Sequence, residues 1–510
     1  MQTTVRVVFN TVVLYAKIIM SMAIALVSVP LVLKALGASD YGLYNLVAGI
    51  VAMLAFLNNS MTVSTQRYMS VALGKGNREK INNIYNASFI LHTVLALGVV
   101  VTLEAIGIPS IGKLNIDVER IWCAHMIFQC LIISMVAKII AVPFDAIMNA
   151  HEDMLAFSVI EVIDSLIMLA TAFMLQYIPV DKLAFYGFAV SFISILTLIM
   201  KYGWCRYAYK SYRISYKVAV DKMLLKDMLG FTGWNLFGGL AMMGRNQGVA
   251  VIFNLFLGTI ANAAYGIANQ INGALNNFSS TFQRAINPQL MKSEGMGNRE
   301  RLQKIALISS KFSVIALCFI SIPLIIEMDD VLDIWLRDRI PNSTLELSRC
   351  ILILSILYQF STGLMSAIQA TGKIKKYQIT MGLLILTNVP VAYVILKMGY
   401  PIYWVTIGFI VVEFISLIVR VFMSKAIAGL SPIGFVRSVV FPCITICAIP
   451  SALCLIPYYF LEGQWIRVVI VCGTYGIIYL AMVWIVAFEK SQKEAFVGKL
   501  IKKIRYNTCF

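Results

Sequence analysis

The sequence predicts an all-α polytopic membrane protein with about fourteen transmembrane helices, arranged as two pseudo-symmetric six-helix lobes around a central cavity, with a further helix pair at the C-terminus. Its 510 residues are 60% hydrophobic and 13% charged, and their mean hydropathy is +0.82, whereas soluble proteins carry about 25% charged residues. A helix crosses the hydrocarbon core with roughly 20 apolar residues. Six candidate runs precede a charged central loop and eight follow it, near residues 8–33, 41–66, 84–108, 121–149, 154–177, 183–203, 229–257, 260–287, 303–326, 346–370, 377–397, 400–421, 436–460 and 465–488.

The two halves of the chain repeat one another. Residues 36–80 and 257–301 both begin with Leu-Gly, and the motif GKGNRE at 74–79 returns as GMGNRE at 295–300, in each case 221 positions later. A shared offset over so long a stretch indicates an internal duplication, and internal repeats are a common way to build transporters around a central site. We therefore expect two homologous lobes that superimpose by a rotation about the membrane normal, because each begins on the same side after an even number of spans.

The distribution of Lys and Arg gives the orientation. With the N-terminus inside, most of the 42 basic residues fall in cytoplasmic segments, so the positive-inside rule places both termini in the cytoplasm. The net charge of +17 then reflects topology and contact with anionic membrane lipids, and we expect no nucleic-acid partner. The first run is expected to be a retained span, since it is too long for a cleaved signal peptide and lacks a small-x-small cleavage site.

Four segments follow from this topology. The basic, Tyr-rich stretch between the halves suits an amphipathic segment that lies on the anionic inner leaflet. The predicted segments are an N-terminal six-helix lobe at 1–203, a basic amphipathic cytoplasmic linker at 204–228, a C-terminal six-helix lobe at 229–425, and an appended helix pair with a basic cytoplasmic tail at 426–510.

Two of the expected spans carry polar side chains that lipid would not accommodate. The seventh is rich in Gly and carries Asn235, and the eighth places Asn269, Asn272 and Asn276 at helical spacing. Such a stripe needs water, a partner helix or a polar ligand. We interpret these four side chains as part of the wall of a central, substrate-binding cavity, and hydrogen bonding between helices remains the alternative for each one.

Basic residues at membrane depth are functional candidates because charge is unfavourable in hydrocarbon. Lys17 and Arg245 have no acid at the same depth in their own spans. Arg67 and Arg284 lie near the inner ends of the second span and of the eighth, its counterpart, and both of these spans carry a polar stripe. We predict that these four cations face the cavity and bind an anionic substrate. The planar fork of Arg245 would match phosphate oxygens, whereas Lys17 would act as a point charge. A structural ion pair across the lobes is the alternative.

Acidic residues within the spans are candidates for ion coupling. Glu161 and Asp164 are three residues apart on one helical face, and we expect them to pair with Lys138 or to bind a coupling ion. The ten Cys lie mainly in apolar runs, with no CxxC pair and no His-rich cluster. We therefore expect neither a metal nor a cofactor.

A family resemblance rests on three features: the run VPLVLKALGASDYGLYNLVAGI at 29–50, a long second span ending in Arg67, and the short GKGN loop at 74–77. Together they resemble the polysaccharide-transport (O-antigen flippase-like) branch of the multidrug/oligosaccharidyl-lipid/polysaccharide (MOP) flippase superfamily. The resemblance implies a MATE-like fold, in which two six-helix lobes form a V-shaped cavity that opens alternately to each side. It also implies a bacterial inner membrane and an undecaprenyl-diphosphate-linked oligosaccharide as cargo.

These observations lead to a predicted flippase, not an enzyme, that serves the biosynthesis of surface polysaccharide such as the O-antigen of lipopolysaccharide. The sequence contains no GxxxxGK[ST] motif for ATP, and the membrane potential favours outward movement of an anionic head group by about 2.3 kcal/mol per charge per 100 mV. We expect a monomer, with polysaccharide polymerase and glycosyltransferases as functional partners.

Two other functions stay open at this point. A cation-coupled multidrug antiporter would use Glu161 and Asp164 as its coupling acids, although the cationic residues predicted to line the cavity disfavour cationic drugs. A membrane glycosyl polymerase or ligase would need catalytic groups on a large outer loop. The outer loops of this chain are short and lack His.

Overall fold

The computed structural model is helical nearly throughout the residues it describes, which are 3–52, 55–111, 116–210, 212, 221–336, 340–461 and 464–488. No strand occurs among them, so the all-α prediction is confirmed. The helices are α1 (Thr3–Ala52), α2 (Ala55–Gly74), α3 (Arg78–Ile111), α4 (Ile121–Ala150), α5 (Met154–Met174), α6 (Lys182–Ala208), α7 (Lys222–Gly295), α8 (Arg299–Ile326), α9 (Met328–Leu336), α10 (Thr344–Phe360), α11 (Thr362–Thr371), α12 (Lys375–Leu386), α13 (Asn388–Lys397), α14 (Ile402–Ala428), α15 (Pro432–Phe435), α16 (Phe441–Phe460) and α17 (Gln464–Met482).

The protein is a multi-pass membrane protein. Within the described ranges, ten helical stretches are long and apolar enough to cross a membrane, and the pair α10–α11, bent by 42°, makes eleven. The three other expected runs, near 41–66, 229–257 and 260–287, lie on α1, α2 and α7. They include the polar stripes found in the sequence, and their Asn, Gln, Ser and Gly residues lower their hydropathy.

A single glycine bends the first helix of each half. Gly37 interrupts α1 with φ 80° and ψ 168°, and Gly258 interrupts α7 with φ 78° and ψ −166°. Because a Cβ disfavours positive φ, glycine suits both bends. The two glycines are 221 positions apart, so the duplicated sequence has the same backbone conformation at equivalent points.

The described chain forms two compact units. Unit 1 consists of Met1–Met243, Arg284–Leu302 and Ala367–Gly382, and unit 2 of Gly244–Gln283, Gln303–Ser366 and Leu383–Phe510. The core of unit 1 includes the fully buried Phe128 and Phe144, and a core of unit 2 includes Phe253 and Phe409. Unit 1 therefore contains three segments from the second half of the sequence, 229–243, 284–302 and 367–382.

The C-terminal helix pair packs on α8 within unit 2. Tyr475 and Tyr479 are buried, and their hydroxyls donate hydrogen bonds of 3.3 and 2.9 Å to backbone carbonyls of α8. At the other end of α17, Arg467 forms ion pairs of 3.2 Å with Glu327 and 2.6 Å with Asp330. Helix α17 thus contacts α8 near one of its ends and the junction between α8 and α9 near the other.

The segment boundaries drawn from the sequence stay predictions. The proposed linker at 204–228 lies partly outside the described residues, at 211 and 213–220. The basic tail from 489 onward lies outside them entirely. Helix α6 runs to Ala208, five residues beyond the end expected for the sixth span.

Candidate functional site

Unit 1 contains a group of four charged side chains at membrane depth. Lys17 on α1 forms an ion pair with Glu161 on α5, and Lys201 on α6 lies 2.7 Å from Asp145 on α4 and 3.7 Å from Glu161. Both ammonium groups also lie over the ring of Phe157, at 5.6 and 5.2 Å from its centroid. Two cations facing two carboxylates give a locally neutral cluster, the arrangement that makes buried charge tolerable.

The pairing expected for Lys138 is wrong. Glu161 pairs with Lys17 and Lys201 instead, and Asp164 accepts a hydrogen bond of 2.6 Å from Thr197. Lys138 is exposed on α4. The reason lies in the packing of α1, α5 and α6, which turns the acidic face of α5 toward α1 and α6.

The sequence did not single out Lys201, although it lies near the end of the sixth expected run, at 183–203. Its side chain is buried, since α6 continues for seven residues beyond it. Trp204 and Tyr207, exposed near the end of α6, are residue types that collect at the membrane interface. They could have indicated that Lys201 lies deeper.

Arg245 on α7 belongs to unit 2. Its guanidinium lies over the ring of Phe409, 5.7 Å from the centroid. Its Nε is buried without a hydrogen-bond partner, and no acid lies within 4 Å of it among the residues that the structure describes. By contrast Arg420, buried in the same unit, forms an ion pair with Glu413 and donates a hydrogen bond of 3.1 Å to Ser361. The Nε–H of Arg245 is thus a buried donor that a ligand could use.

The polar stripe of the eighth span makes contacts between helices in unit 2. The side-chain oxygen of Asn276 accepts hydrogen bonds from Ser355 at 3.1 Å and from Gln359 at 3.0 Å, both on α10, and its amide donates 2.8 Å to Asn272. Asn269 donates to the backbone carbonyl one turn earlier. Both contacts of Asn276 with α10 are of the kind that joins helices in a membrane.

Asn235, from the Gly-rich seventh span, lies in unit 1. Its side-chain oxygen accepts a hydrogen bond of 3.0 Å from Gln378 on α12. Gly238 lies one turn further on, and a Cβ there would come within 2.3 Å of the Gln378 amide. The small residue therefore allows α7 and α12 to approach closely enough for this bond.

The two cations near the inner ends of the polar spans differ in their surroundings. The Nε of Arg67 donates 3.1 Å to the Ala370 carbonyl, and its guanidinium lies about 5 Å from the rings of Tyr68 and Phe231. Arg284 is exposed, and it lies within electrostatic reach of the charge cluster of unit 1. Arg67 is thus held in place, whereas Arg284 is open to solvent.

A further polar cluster, not predicted from the sequence, lies in unit 1 at the loop between α4 and α5, on the face that the charge distribution assigns to the cytoplasm. Glu152 forms an ion pair with Lys292 and lies 3.6 Å from Arg6. The neighbouring ring of His151 stacks on Tyr209 with centroids 4.6 Å apart. Burial lowers the pKa of His151 to about 4, and the charges of Lys292 and Arg6 act in the same direction.

On the opposite face of unit 1, Arg120 connects Asp40 and Asp181. Burial of Asp181 opposes its ionisation, but hydrogen bonds from the Ala184 amide and from Arg120 outweigh that effect and hold the pKa of Asp181 below its usual range. The bridge ties the segment after the Gly37 bend to the start of α6. For metals, no three His, Cys, Asp or Glu side chains in the described ranges come together as a possible ion site.

The comparisons with known proteins agree with this architecture. A family model described as "Polysaccharide biosynthesis protein" matches residues 7–294. No match was found among the curated proteins. Similar solved structures include a MOP superfamily transporter from Pyrococcus furiosus Vc1, reported with a binding pocket of reverse polarity, at a TM-score of 0.69 and 15% identity over 83% of this chain and 95% of that one.

Two MATE structures give the same picture. A point mutant of a MATE protein superimposes with a TM-score of 0.72 and 15% identity, covering 82% of this chain and 96% of that one. An outward-facing multidrug-resistance MATE transporter gives 0.71 and 15%, covering 82% and 95%. At this identity the likeness establishes the fold, which is MATE-like as expected from the sequence. Because the family model spans more than half of the 510 residues, the chain belongs to the polysaccharide biosynthesis protein family.

Proposed function

We propose that the protein is a flippase that moves a lipid-linked oligosaccharide, carried on undecaprenyl diphosphate, across the bacterial inner membrane by alternating access. Membership of the polysaccharide biosynthesis family and the MATE-like fold support a transporter that serves glycan export. Glycosyltransferases would supply the cargo and a polymerase would consume it, and the transporter itself would act as a monomer. The outward step moves a doubly anionic head group down the membrane potential.

The observation that carries this proposal is the state of Arg245. A guanidinium whose Nε is buried without a partner loses hydrogen-bond energy unless a ligand supplies an acceptor. Diphosphate oxygens fit the planar donor fork of arginine through paired, charge-assisted bonds. The ring of Phe409 beneath the guanidinium would hold it in place by a cation–π contact.

Lys17 would be a second anion-binding residue, and it could bind substrate only when it is not paired with Glu161. While Glu161 is ionised, Lys17 is occupied by the ion pair between them. A proton or cation that neutralises Glu161 would release Lys17 for the substrate, which gives this acid, with Asp164 beside it, a role in coupling. In this scheme Arg67 and Arg284 would guide the anionic head group at the inner ends of the polar spans, and the Asn side chains would bind sugar hydroxyls.

The test is complementation of a deletion strain. Arg245→Ala, present in the membrane at the parent level, should lower surface glycan at least about tenfold while lipid-linked repeat units accumulate on the inner leaflet, because one charge-assisted bond is worth about 1.5–3 kcal/mol. Arg245→Lys should restore export in part. Lys138→Ala, which removes an exposed cation from a span, is the matched control and should export normally. Full glycan with Arg245→Ala would refute the binding role.

A multidrug antiporter is the second candidate, and the carboxylates at membrane depth in unit 1 are the observation in its favour. Asp145 and Glu161 are both paired with lysines, so the cluster has no net negative charge that would attract a cationic drug. This pairing favours the flippase. Deletion of the gene separates the two functions, because loss of dye resistance with normal surface glycan would establish the antiporter.

A further inference from the structure

Glu152, in the loop between α4 and α5, contacts α1 and the end of α7. Its backbone carbonyl accepts a hydrogen bond of 3.1 Å from Asn10 on α1, and its carboxylate accepts bonds from Gln289 and Lys292 near the end of α7. Arg6 lies 3.6 Å from the same carboxylate. Only 2% of the Glu152 side chain is exposed. One loop residue of the first half is therefore held by the start of the chain and by a helix end of the second half.

The conformation of Glu152 adds to this picture. Its φ of 62° is one of two positive values among the described non-glycine residues, a region that is unfavourable for most side chains. Such a conformation persists only where the surroundings impose it, and it tends to occur at sites that switch between states. Here the surroundings are the backbone hydrogen bonds that end α4, such as the 2.9 Å bond from the Asp153 amide to the Met148 carbonyl, together with the contacts of the Glu152 carboxylate.

The inner end of α2 makes the corresponding contact with the second half. Arg67 donates to the carbonyl of Ala370, and its guanidinium lies against Gly372, which has φ 80°. Gly372 follows α11 as Glu152 follows α4, 220 positions earlier. Thus Arg67 of the first half contacts the loop after α11, and Lys292 of the second half contacts the loop after α4.

The backbones of the two polar helices also touch reciprocally. A Cβ on Gly74 would come within 2.3 Å of the Lys292 carbonyl, and one on Gly295 within 2.2 Å of the Val71 carbonyl. Gly295 is the equivalent of Gly74, and Lys292 is the equivalent of Val71, each at the offset of 221. The two contacts are therefore related by the repeat, as across a two-fold interface. Because Gly74 and Gly295 have no side chains, the helices can separate at these two points without rearranging side chains.

We propose that Glu152 and Lys292 form a latch that holds the inner ends of the two repeats together in one state of the transport cycle and opens in another. This inference rests on the proposed alternating access. A buried ion pair suits such a latch, because the large free energy of desolvating its charges nearly offsets their attraction. Water would hydrate both charges once the helix ends separate, so the closed and open states stay close in free energy, as a transporter needs.

The test measures access to Ser293, which is fully buried beside Lys292. Ser293→Cys is introduced into a chain whose ten native cysteines are replaced, and a membrane-impermeant maleimide is applied to vesicles with the inner face outward. Glu152→Gln should raise the labelling rate about tenfold, because loss of one partner of a buried pair shifts a two-state equilibrium strongly. Lys292→Gln should do the same, and the double variant should label no faster than either single one.

Two comparisons keep the result unambiguous. Glu300→Gln removes the same charge from an exposed position on the same face and should label at the parent rate. If Glu152→Gln does not fold, Lys292→Gln carries the test, since Lys292 is partly exposed and tolerates loss of its partner better. Labelling at the parent rate in well-folded latch variants would overturn the latch. The labelling assay reports conformation and does not depend on glycan export. If the latch variants label faster and the deletion strain nevertheless has normal surface glycan, the latch is retained and the flippase is rejected.

Discussion

The close approach of α2 and α7 gives the sharpest structural prediction. Gly74→Ala and Gly295→Ala should each destabilise the protein, because the added Cβ meets a backbone carbonyl that cannot rotate away. Contacts of a real Cβ below 3.0 Å are essentially never seen. From 2.3 Å at Gly74 and 2.2 Å at Gly295, the helices must therefore move apart by at least about 0.7–0.8 Å.

The expected magnitude follows from two opposing terms. Overpacking of this kind destabilises by about 1–3 kcal/mol, whereas alanine is favoured over glycine in a helix by about 1 kcal/mol. Gly98 on α3 provides the control, since nothing lies within 4 Å of a Cβ there and only the second term applies. Because the second term is common to both variants, we expect Gly74→Ala to be less stable than Gly98→Ala by about 1–3 kcal/mol.

The assay is the midpoint of thermal unfolding of the purified protein in detergent, followed by size-exclusion chromatography. Gly74→Ala should lower the midpoint by a few degrees and Gly98→Ala should leave it unchanged or raise it. The double variant Gly74→Ala/Gly295→Ala should lose less than the sum of the two single changes, because the first separation makes room for the second Cβ. Equal midpoints for Gly74→Ala and Gly98→Ala would contradict the reciprocal contact.

Three further predictions concern buried charges. Glu413→Gln should destabilise unit 2 by about 3–5 kcal/mol, since it removes the carboxylate that forms an ion pair with the buried Arg420, and thermal unfolding measures it. His151→Asn should flatten the acid side of the stability profile: the unfolded chain binds a proton at His151 near pH 6.5 but the folded protein only near pH 4, so the parent loses about 3 kcal/mol as pH falls through that window. Arg467→Gln should speed hydrogen exchange in α17, because Glu327 is fully buried and loses its main counter-charge.

Controls for these predictions come from exposed residues of the same type. Glu346→Gln on α10 and Arg437→Gln before α16 remove the same charges at the surface, where an ion pair contributes at most about 1 kcal/mol, and should unfold and exchange like the parent. A Glu413→Gln midpoint equal to that of Glu346→Gln would argue against the buried pair. Identical pH profiles for the parent and His151→Asn would show that His151 titrates normally in the folded protein.

The parts of the fold that depend on local pattern could be predicted from the sequence. Apolar run length gave the spans, and the repeat pointed to equivalent positions in the two halves, of which Gly37 and Gly258 have matching backbone angles. The exact partners of charged groups could not be predicted, since Lys17, Lys201 and Glu161 come from three different helices. Their pairing depends on how those helices are rotated about their axes, which apolar spacing defines only loosely.

The candidate site illustrates the same division. Arg245 could be singled out because its own span offers no acid, and in the folded unit its Nε is buried without a hydrogen-bond partner. The loop residue Glu152 carried no comparable signal, because an acid between two apolar runs is ordinary in sequence. Its importance comes from Arg6 and Lys292, which lie 146 and 140 positions away in the chain and close in space.

The paired glycine bends have a consequence for tracing ancestry. Side chains in the two copies have diverged until only scattered letters agree, yet Gly37 and Gly258 keep the same unusual backbone angles. A position that tolerates only one amino acid changes far more slowly in evolution than a position that tolerates several. Such glycines therefore identify equivalent positions in an old gene duplication. Searching other long membrane proteins for glycine pairs with a constant offset should reveal duplications that overall identity no longer detects.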